Sequence, residues 1–259
     1  MIDLHTHSIF SFDADYTLNE MLKGAERAGI SELCITDHVD FDAPNIEDRL
    51  PNLTARRESA ENADNYSVHL TLGAEISLQD SASAKATWEY ICDAELDFII
   101  ASVHIIDGKE VWTEEFYRGR TKEQTYTEYL EAVLRMLPTF PEMDILGHYD
   151  FVAKYAPYPD RSFDYELAPA IFDDVLAFLL DYHKSLEINT SIWRGDRAWG
   201  LDLLKRFVAL GGRYITIGSD AHNPRAIGYR VKEAMVMAKE AGVRSIAVFS
   251  QRRPYFIDL

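Results

Sequence analysis

Short apolar runs alternate with longer segments of helical period along most of the chain. Ile2-Asp3-Leu4-His5-Thr6-His7-Ser8 reads as a strand that carries His5 and His7 at its end. Side chains alternate across a strand, so residues two apart share one side. Thr17 and Glu20 form a T-x-x-E capping box ahead of an apolar stripe of Met21, Leu22, Ala25 and Ala28, and Gly29 is a natural stop. Residues 32–38 read as a second strand ending at His38, so the opening of the chain predicts a βαβ unit.

The alternation continues. Residues 40–53, with Pro44 and Pro51, read as a loop, and 54–65 as a charged helix. Strands follow at 69–75, ending in Glu75, and at 98–104, ending in His104, with a helix at 83–92 between them. A long connection, 107–120, carries Trp112, Phe116, Tyr117, Arg118 and Arg120. The helix predicted over 121–137 puts Tyr126, Tyr129, Leu130, Val133, Leu134 and Leu137 on its apolar side, and Pro138 and Pro141 end it. A strand at 144–148 ends in His148, and a second long connection, 149–164, holds Arg161. A helix over 165–183 leads to a strand at 185–189 that ends in Asn189. The next loop contains Trp193, Arg194, Arg197 and Trp199. A helix at 201–210 stops at Gly211-Gly212, and the strand that follows carries Asp220 and His222 at its end. A helix at 228–241 precedes a terminal strand or hairpin at 246–249 and 255–257. No linker, repeat or low-complexity segment interrupts the pattern, which predicts a single α/β domain over 1–259 with a parallel sheet. Polar residues at successive strand ends predict a barrel, which gathers those ends at one mouth.

Composition narrows the function. The hydrophobic share of 47% supports a sizeable core, and 259 residues is an ordinary length for an α/β barrel. A formal charge of −17 argues against a nucleic-acid or membrane surface. It leaves an anionic substrate open, because bound divalent cations invert the potential of a carboxylate-lined pocket. Two cysteines, Cys34 and Cys92, are too few for a disulfide framework and read as reduced thiols, Cys34 within the core. No targeting segment or apolar run of membrane-spanning length is legible, so the cytoplasm is the expected location. Oligomeric state is not indicated.

The candidate chemistry lies in the histidines. Of the eight, His5, His7, His38, His104, His148 and His222 fall at predicted strand ends. His69 begins a strand and His183 falls in the last turn of a helix, so structural roles suit both. Any one strand-end histidine is explained by a hydrogen bond at a loop start. Six together, with Asp13, Glu75 and Asp220, are not. Imidazole and carboxylate are the groups by which proteins hold zinc, iron and manganese. Nine such groups exceed the needs of one ion and imply two or three, an arrangement suited to activating water and stabilising a phosphoryl displacement.

His5-x-His7, Thr36-Asp37-His38, Gly73-x-Glu75, Ser102-x-His104, Gly147-His148 and Ser219-Asp220-x-His222 resemble the ordered motifs of the polymerase-and-histidinol-phosphatase (PHP) superfamily. The resemblance implies a distorted (β/α)7 barrel with a trinuclear metal site. It implies one ion at His5, His7, Glu75 and Asp220, and a second at Glu75, His104 and His148, with Glu75 bridging. It implies a third at Asp13, His38 and His222. Some members have histidine at the position of Asp13, so a carboxylate there bears on the identity or occupancy of the third ion. The segments Ser102-Val103-His104-Ile105-Ile106-Asp107, Gly147-His148-Tyr149-Asp150 and Leu186-Glu187-Ile188-Asn189-Thr190 are most similar to histidinol-phosphate phosphatases of the histidine pathway.

The expected reaction is hydrolysis of a small phosphate monoester, with in-line attack on phosphorus by a hydroxide bridging two metals. His5, His7, Glu75, His104 and Asp220 are the catalytic residues in this sense. Arg161 and Arg194, then Arg118 and Arg197, are candidates to hold phosphate through the guanidinium fork, the first two because related phosphatases bind phosphate from these loops. A substrate with an ammonium and an imidazole asks for a carboxylate and an aromatic wall. Phe10, Phe41, Asp42, Trp112, Glu114 and Trp193 are loop candidates, and Asn189 suits either the site or a loop cap. The proton donor for the leaving group is unassigned. A phosphoesterase acting on a nucleotide or another small ester is the alternative on the same cluster. An exonuclease would need a positive track for the strand, and a non-enzymatic zinc site would be closed and thiolate-rich.

Overall fold

The computed structural model describes residues 1–41, 50–79 and 81–259. Its strands and helices alternate in chain order. Strand β1 (Ile2–Thr6) leads to helix α1 (Leu18–Ala28), which starts at the Thr17–Glu20 capping box and ends at Gly29 in the left-handed conformation. The next predicted strand is two pieces, β2 (Glu32–Ile35) and β3 (His38–Val39). The helix expected at 54–65 is α2 (Leu53–Ser59) followed by a 3-10 turn. Strands β4 (His69–Leu72) and β5 (Ala74–Ser77) divide at Gly73, and α3 (Ser81–Ile91) and β6 (Ile99–Ser102) follow.

The connection read as 107–120 is structured: it closes a small hairpin, β7 (Ile105–Ile106) and β8 (Lys109–Glu110), and holds the short helix α4 (Glu114–Tyr117). Helix α5 (Lys122–Met136) begins with a second capping box, between Thr121 and Gln124. Its fully buried Leu130 and Val133 each contribute ~1.5–3 kcal/mol by burial. After β9 (Ile145–Leu146), the connection 149–164 contains helix α6 (Phe151–Tyr155). Helix α7 (Pro169–Asp181), β10 (Ser185–Asn189), α8 (Leu201–Ala209), β11 (Tyr214–Gly218) and α9 (Val231–Ala241) continue the alternation. The chain ends in an antiparallel hairpin, β12 (Ser245–Ser250) and β13 (Arg253–Asp258).

Parallel pairing runs β1–β2–β4 in one sheet and β3–β5–β6–β9–β10–β11–β12 in the other. The residues between Ile35 and His38 are bonded to the end of β1 and the loop after it. Thr36 N and Thr36 Oγ1 both donate to Thr6 O, and the Asp37 carboxylate accepts from Ser8 N. The chain resumes as β3 with His38 opposite Glu75. The segment after β11 returns to the first strand: Asp220 N donates to His5 O and His7 N donates to Ala221 O. The architecture is a distorted (β/α)7 barrel, with β12–β13 added beside the start of β11. Its main hydrophobic core fills the strands and packs α5, α7, α8 and α9 on them, and a second cluster lies beneath α1. Among the described residues no helix is long and apolar enough to cross a membrane.

Candidate metal centre

The carboxyl ends of the strands bring the nine singled-out side chains together. Glu75, fully buried on β5, is the hub. Its Oε2 lies 3.3 Å from His5 Nε2, 3.5 Å from His7 Nε2 and 3.0 Å from His38 Nδ1. Its Oε1 lies 2.7 Å from His148 Nε2 and 3.4 Å from His104 Nε2, and accepts from Ser102 Oγ at 2.7 Å. Asp220 Oδ1 is 3.2 Å from His7 Nε2 and 3.8 Å from His5 Nε2. Asp13 Oδ2 is 3.0 Å from His222 Nε2 and 3.6 Å from His38 Nε2. Three donor groups are close enough to share an ion: His5, His7 and Glu75; His38, Glu75 and His104; and His7, Asp13, His38 and His222. His148 and Asp220 border these groups through Glu75 and His7.

Small residues admit this crowding. A Cβ on Gly218 would collide with His5 and the Glu187 carboxylate, and one on Gly147 with Ser102 and Ile100. Hydrogen bonds behind the rings fix their tautomers. His5 Nδ1 donates to Glu187 Oε1 at 2.7 Å, and Glu187 Oε2 also accepts from His148 N at 2.8 Å. Ser11 Oγ donates to Asp37 Oδ1 and accepts from His38 N, so at its 3.0 Å contact with His7 it accepts the Nδ1 proton. Asp37 is itself paired with the buried Arg56 at 3.4 Å.

These bonds leave the Nε2 lone pairs of His5 and His7 facing carboxylate oxygens. Neither Nε2 has a hydrogen-bond partner, nor does Glu75 Oε2. Acceptors that converge in a buried site repel unless a cation stands among them. Without metal, protons take part of that place. Burial favours neutral His5, but Glu187 and Glu75 outweigh it and raise its pKa well above the ordinary range. Burial likewise opposes charge on His104, and Glu75 and Asp40 push it up to about 10. His7 goes the other way: burial, then the neighbouring His222 and His38, hold it well below the imidazole range. Burial opposes ionisation of Glu75, but the surrounding histidines keep its pKa low. Nitrogen and oxygen donors without thiolate, arranged around orphaned atoms, fit divalent zinc, iron or manganese.

The cluster opens into a cavity of about 220 Å³ lined by Phe12, Trp112, Phe151, Tyr155, Asp40 and Lys154 besides the donors. Lys154 Nζ lies 2.6 Å from Asp220 Oδ2, which also accepts from Ser191 Oγ at 2.9 Å. Of the sequence candidates for this pocket, Trp112 lines it. Trp193 is buried, with Arg230 over its ring; Phe10 and Phe41 are half-buried against the cores; Glu114 is exposed at the start of α4. Asp42 lies outside the described residues. Asn189 Oδ1 accepts from Ser191 N, a loop cap, and its Nδ2 donates to Glu187 Oε2 at 3.4 Å, behind His5.

The four arginines lie outside the cavity lining. Arg161 is paired with Asp196 at 2.5 Å and Arg197 with Asp164 at 3.0 Å, and Arg118 is exposed. Arg194 stacks 4.8 Å above the ring of Tyr155, a cavity residue, and so stands at the rim. His69 is exposed and pairs with Glu32, and His183 lies beyond the end of α7, exposed, with φ of 55°. Sequence reasoning passed over Lys154, Asp40 and Glu187. Glu187 had a readable signal, since it stands two residues before Asn189 on the same strand face.

Residues 3–191 match the PHP domain family, and the chain belongs to that family. It is 34% identical over 257 residues to a histidinol-phosphatase of Lactococcus lactis subsp. lactis, spanning 96% of this chain and 94% of the relative. It is 28% identical over 264 residues to a probable histidinol-phosphatase of Clostridium acetobutylicum, spanning 98% of each. The crystal structure of histidinol phosphate phosphatase from Lactococcus lactis, complexed with zinc, L-histidinol and phosphate, superposes with a TM-score of 0.87 at 33% identity over 98% of each chain.

Proposed function

We propose that the protein is a metal-dependent phosphomonoesterase that converts L-histidinol phosphate and water to L-histidinol and phosphate, a step of histidine biosynthesis. In this reading residues 1–259 act as one phosphoesterase domain in the cytoplasm. The observation that carries it is the convergence of partnerless His5 Nε2 and His7 Nε2 on the partnerless Glu75 Oε2, with Glu75 lining an aromatic-walled cavity. The Lactococcus relatives, one of them holding zinc, L-histidinol and phosphate, support the choice of substrate and zinc among the candidate metals.

His5, His7, Glu75 and Asp220 would hold one ion, Glu75, His104 and His148 a second, and Asp13, His38 and His222 a third. Divalent ions bound there would supply a water that ionises near neutral pH and positive charge for the phosphate oxygens. The chain's own groups do the rest. Glu187 and Ser11 keep protons on Nδ1 of His5 and His7, leaving Nε2 of each free as a donor. Lys154 supplies a cation inside the cavity, and Arg194 a second at its rim, to hold and orient the phosphate. Arg161 stands in the same group of loops, held by Asp196. Phe12, Trp112, Phe151 and Tyr155 form a wall suited to an imidazole and a nearby ammonium.

The test is phosphate release by zinc- or manganese-loaded protein from L-histidinol phosphate, beside nucleotide and sugar monophosphates. The expected result is a preference of at least about 100-fold in kcat/KM for L-histidinol phosphate, on the order of what a few well-placed polar contacts give. Equal or greater activity on a nucleotide would overturn the substrate, and no hydrolysis of any ester would overturn the enzyme.

A further inference from the structure

Asp40 stands immediately after β3, two residues beyond His38. It is 4% exposed, lines the cavity and belongs to none of the three donor groups. Its Oδ2 lies 3.4 Å from His104 Nδ1 and 3.6 Å from His38 Nδ1. Its Oδ1 has no hydrogen-bond partner. The far sides of both rings face the cluster: His104 Nε2 is 3.4 Å from Glu75 Oε1 and 3.5 Å from His148 Nε2, and His38 Nε2 is 3.6 Å from Asp13 Oδ2.

The geometry points to Asp40 as a shared positioning residue for His38 and His104, one carboxylate that biases two rings to present Nε2 to two different ions. The inference rests on the metal-centre reading above and extends it. A carboxylate behind an imidazole favours the proton on Nδ1, fixes which nitrogen faces the metal and raises its basicity. The same device is visible at His5, where Glu187 stands behind Nδ1 at 2.7 Å. At His7 a hydroxyl, Ser11, does this work. Asp40 is the carboxylate within ion-pair reach of His104 Nδ1 among the described residues. For His38 Nδ1 the alternative is Glu75 Oε2 at 3.0 Å. An ion drawing Glu75 to itself would leave Asp40 as that ring's charge partner. At 3.4 and 3.6 Å both contacts are longer than hydrogen bonds, so Asp40 acts on the rings chiefly by charge. A neutral replacement of the same shape should therefore lose most of the effect.

The test is zinc titration of metal-free wild type, Asp40→Asn, Asp40→Glu and Asp40→Ala against a chromophoric chelator, with bound metal counted per chain. Circular dichroism of each metal-free protein checks the fold. Expected is a loss of ~10–100-fold in affinity for at least one bound ion in Asp40→Asn, with at least one other ion held at wild-type affinity. Partial recovery in Asp40→Glu is expected. Asp40→Asn is nearly isosteric, so it decides the matter if Asp40→Ala does not fold. Wild-type affinity for every ion in Asp40→Asn, whether or not KM changes, would overturn the inference. Wild type that binds no zinc would instead overturn the metal-centre reading.

Discussion

The two ends of the barrel satisfy their polar groups differently. At the amino ends of the strands, carboxylates are saturated with donors. Asp144 accepts from Ile99 N at 2.8 Å and from Arg252 Nε at 2.5 Å. Asp97 accepts from Leu72 N and Gln251 N, so these two side chains pin the β12–β13 turn beneath β6 and β9. At the carboxyl ends, Glu75, His5, His7 and His38 are as well buried or better, yet each keeps an atom without a partner. An unpaired buried polar atom costs ~1–3 kcal/mol. Such a cost is tolerated where a ligand repays it. The carboxylates at the base have their partners within the protein, and the donors at the mouth are left open to a cation.

Substitutions at the mouth should therefore cost activity and metal, and those at the base should cost stability alone. The largest effect is expected from His104→Ala, which should lower kcat/KM for phosphate-ester hydrolysis by more than ~100-fold, beyond the loss usual when a residue behind a metal ligand is changed. Its fold should be retained, as read by circular dichroism. Full activity with normal metal content would remove His104 from the site. Glu187→Gln should weaken metal binding by ~10–100-fold, because His5 loses its carboxylate while its shape is kept.

Asp144→Ala should lower stability by ~1–3 kcal/mol in denaturant titration, by stranding Arg252 and Ile99 N, with metal stoichiometry unchanged. A loss of metal there would erase the distinction between the ends.

The comparison also predicts a pH dependence. In the metal-free protein the His104 pKa is pushed up to about 10, so at neutral pH that ring is protonated and a metal must displace the proton. Metal affinity should rise with pH toward about 10. The same raised pKa contributes stability to the metal-free protein that is full below about 6.5 and is lost as pH rises through about 10. Metal titrations at several pH values, beside denaturant curves of the metal-free protein, read both trends. The smallest effect is expected at His183, exposed on the outside of the barrel. His183→Ala should leave kcat/KM within about twofold, since changes at such exposed sites stay within ~0.5 kcal/mol.

What the sequence revealed, and what it hid, follows the same division. Strand ends were legible because a short apolar run closing on His5, His104 or His148 is both a local pattern and a chemical one. Caps at Thr17, Thr121 and Gly29 were legible because they are local. The break at Thr36-Asp37 was not, since the bonds made there run to Thr6 and Ser8, about 30 residues away in the chain. Lys154 was hidden in a connection whose helix, α6, has five residues, too few to show a period. Asp40 bordered a proline-bearing loop and read as part of it, although it stands two residues beyond His38. The loop arginines drew notice by residue type and, for Arg161 and Arg194, by the resemblance of their loops, and neither discloses that Asp196 and Asp164 hold Arg161 and Arg197.

The central claim is that the orphaned donors at the mouth exist to hold catalytic ions. The most direct measurement strips the protein with a chelator, counts metal per chain during zinc or manganese reloading, and follows phosphate release from L-histidinol phosphate at each step. The account predicts no turnover in the stripped protein and activity that returns in step with two or three ions bound per chain. Turnover that survives complete removal of metal, or full reloading without hydrolysis, would contradict it.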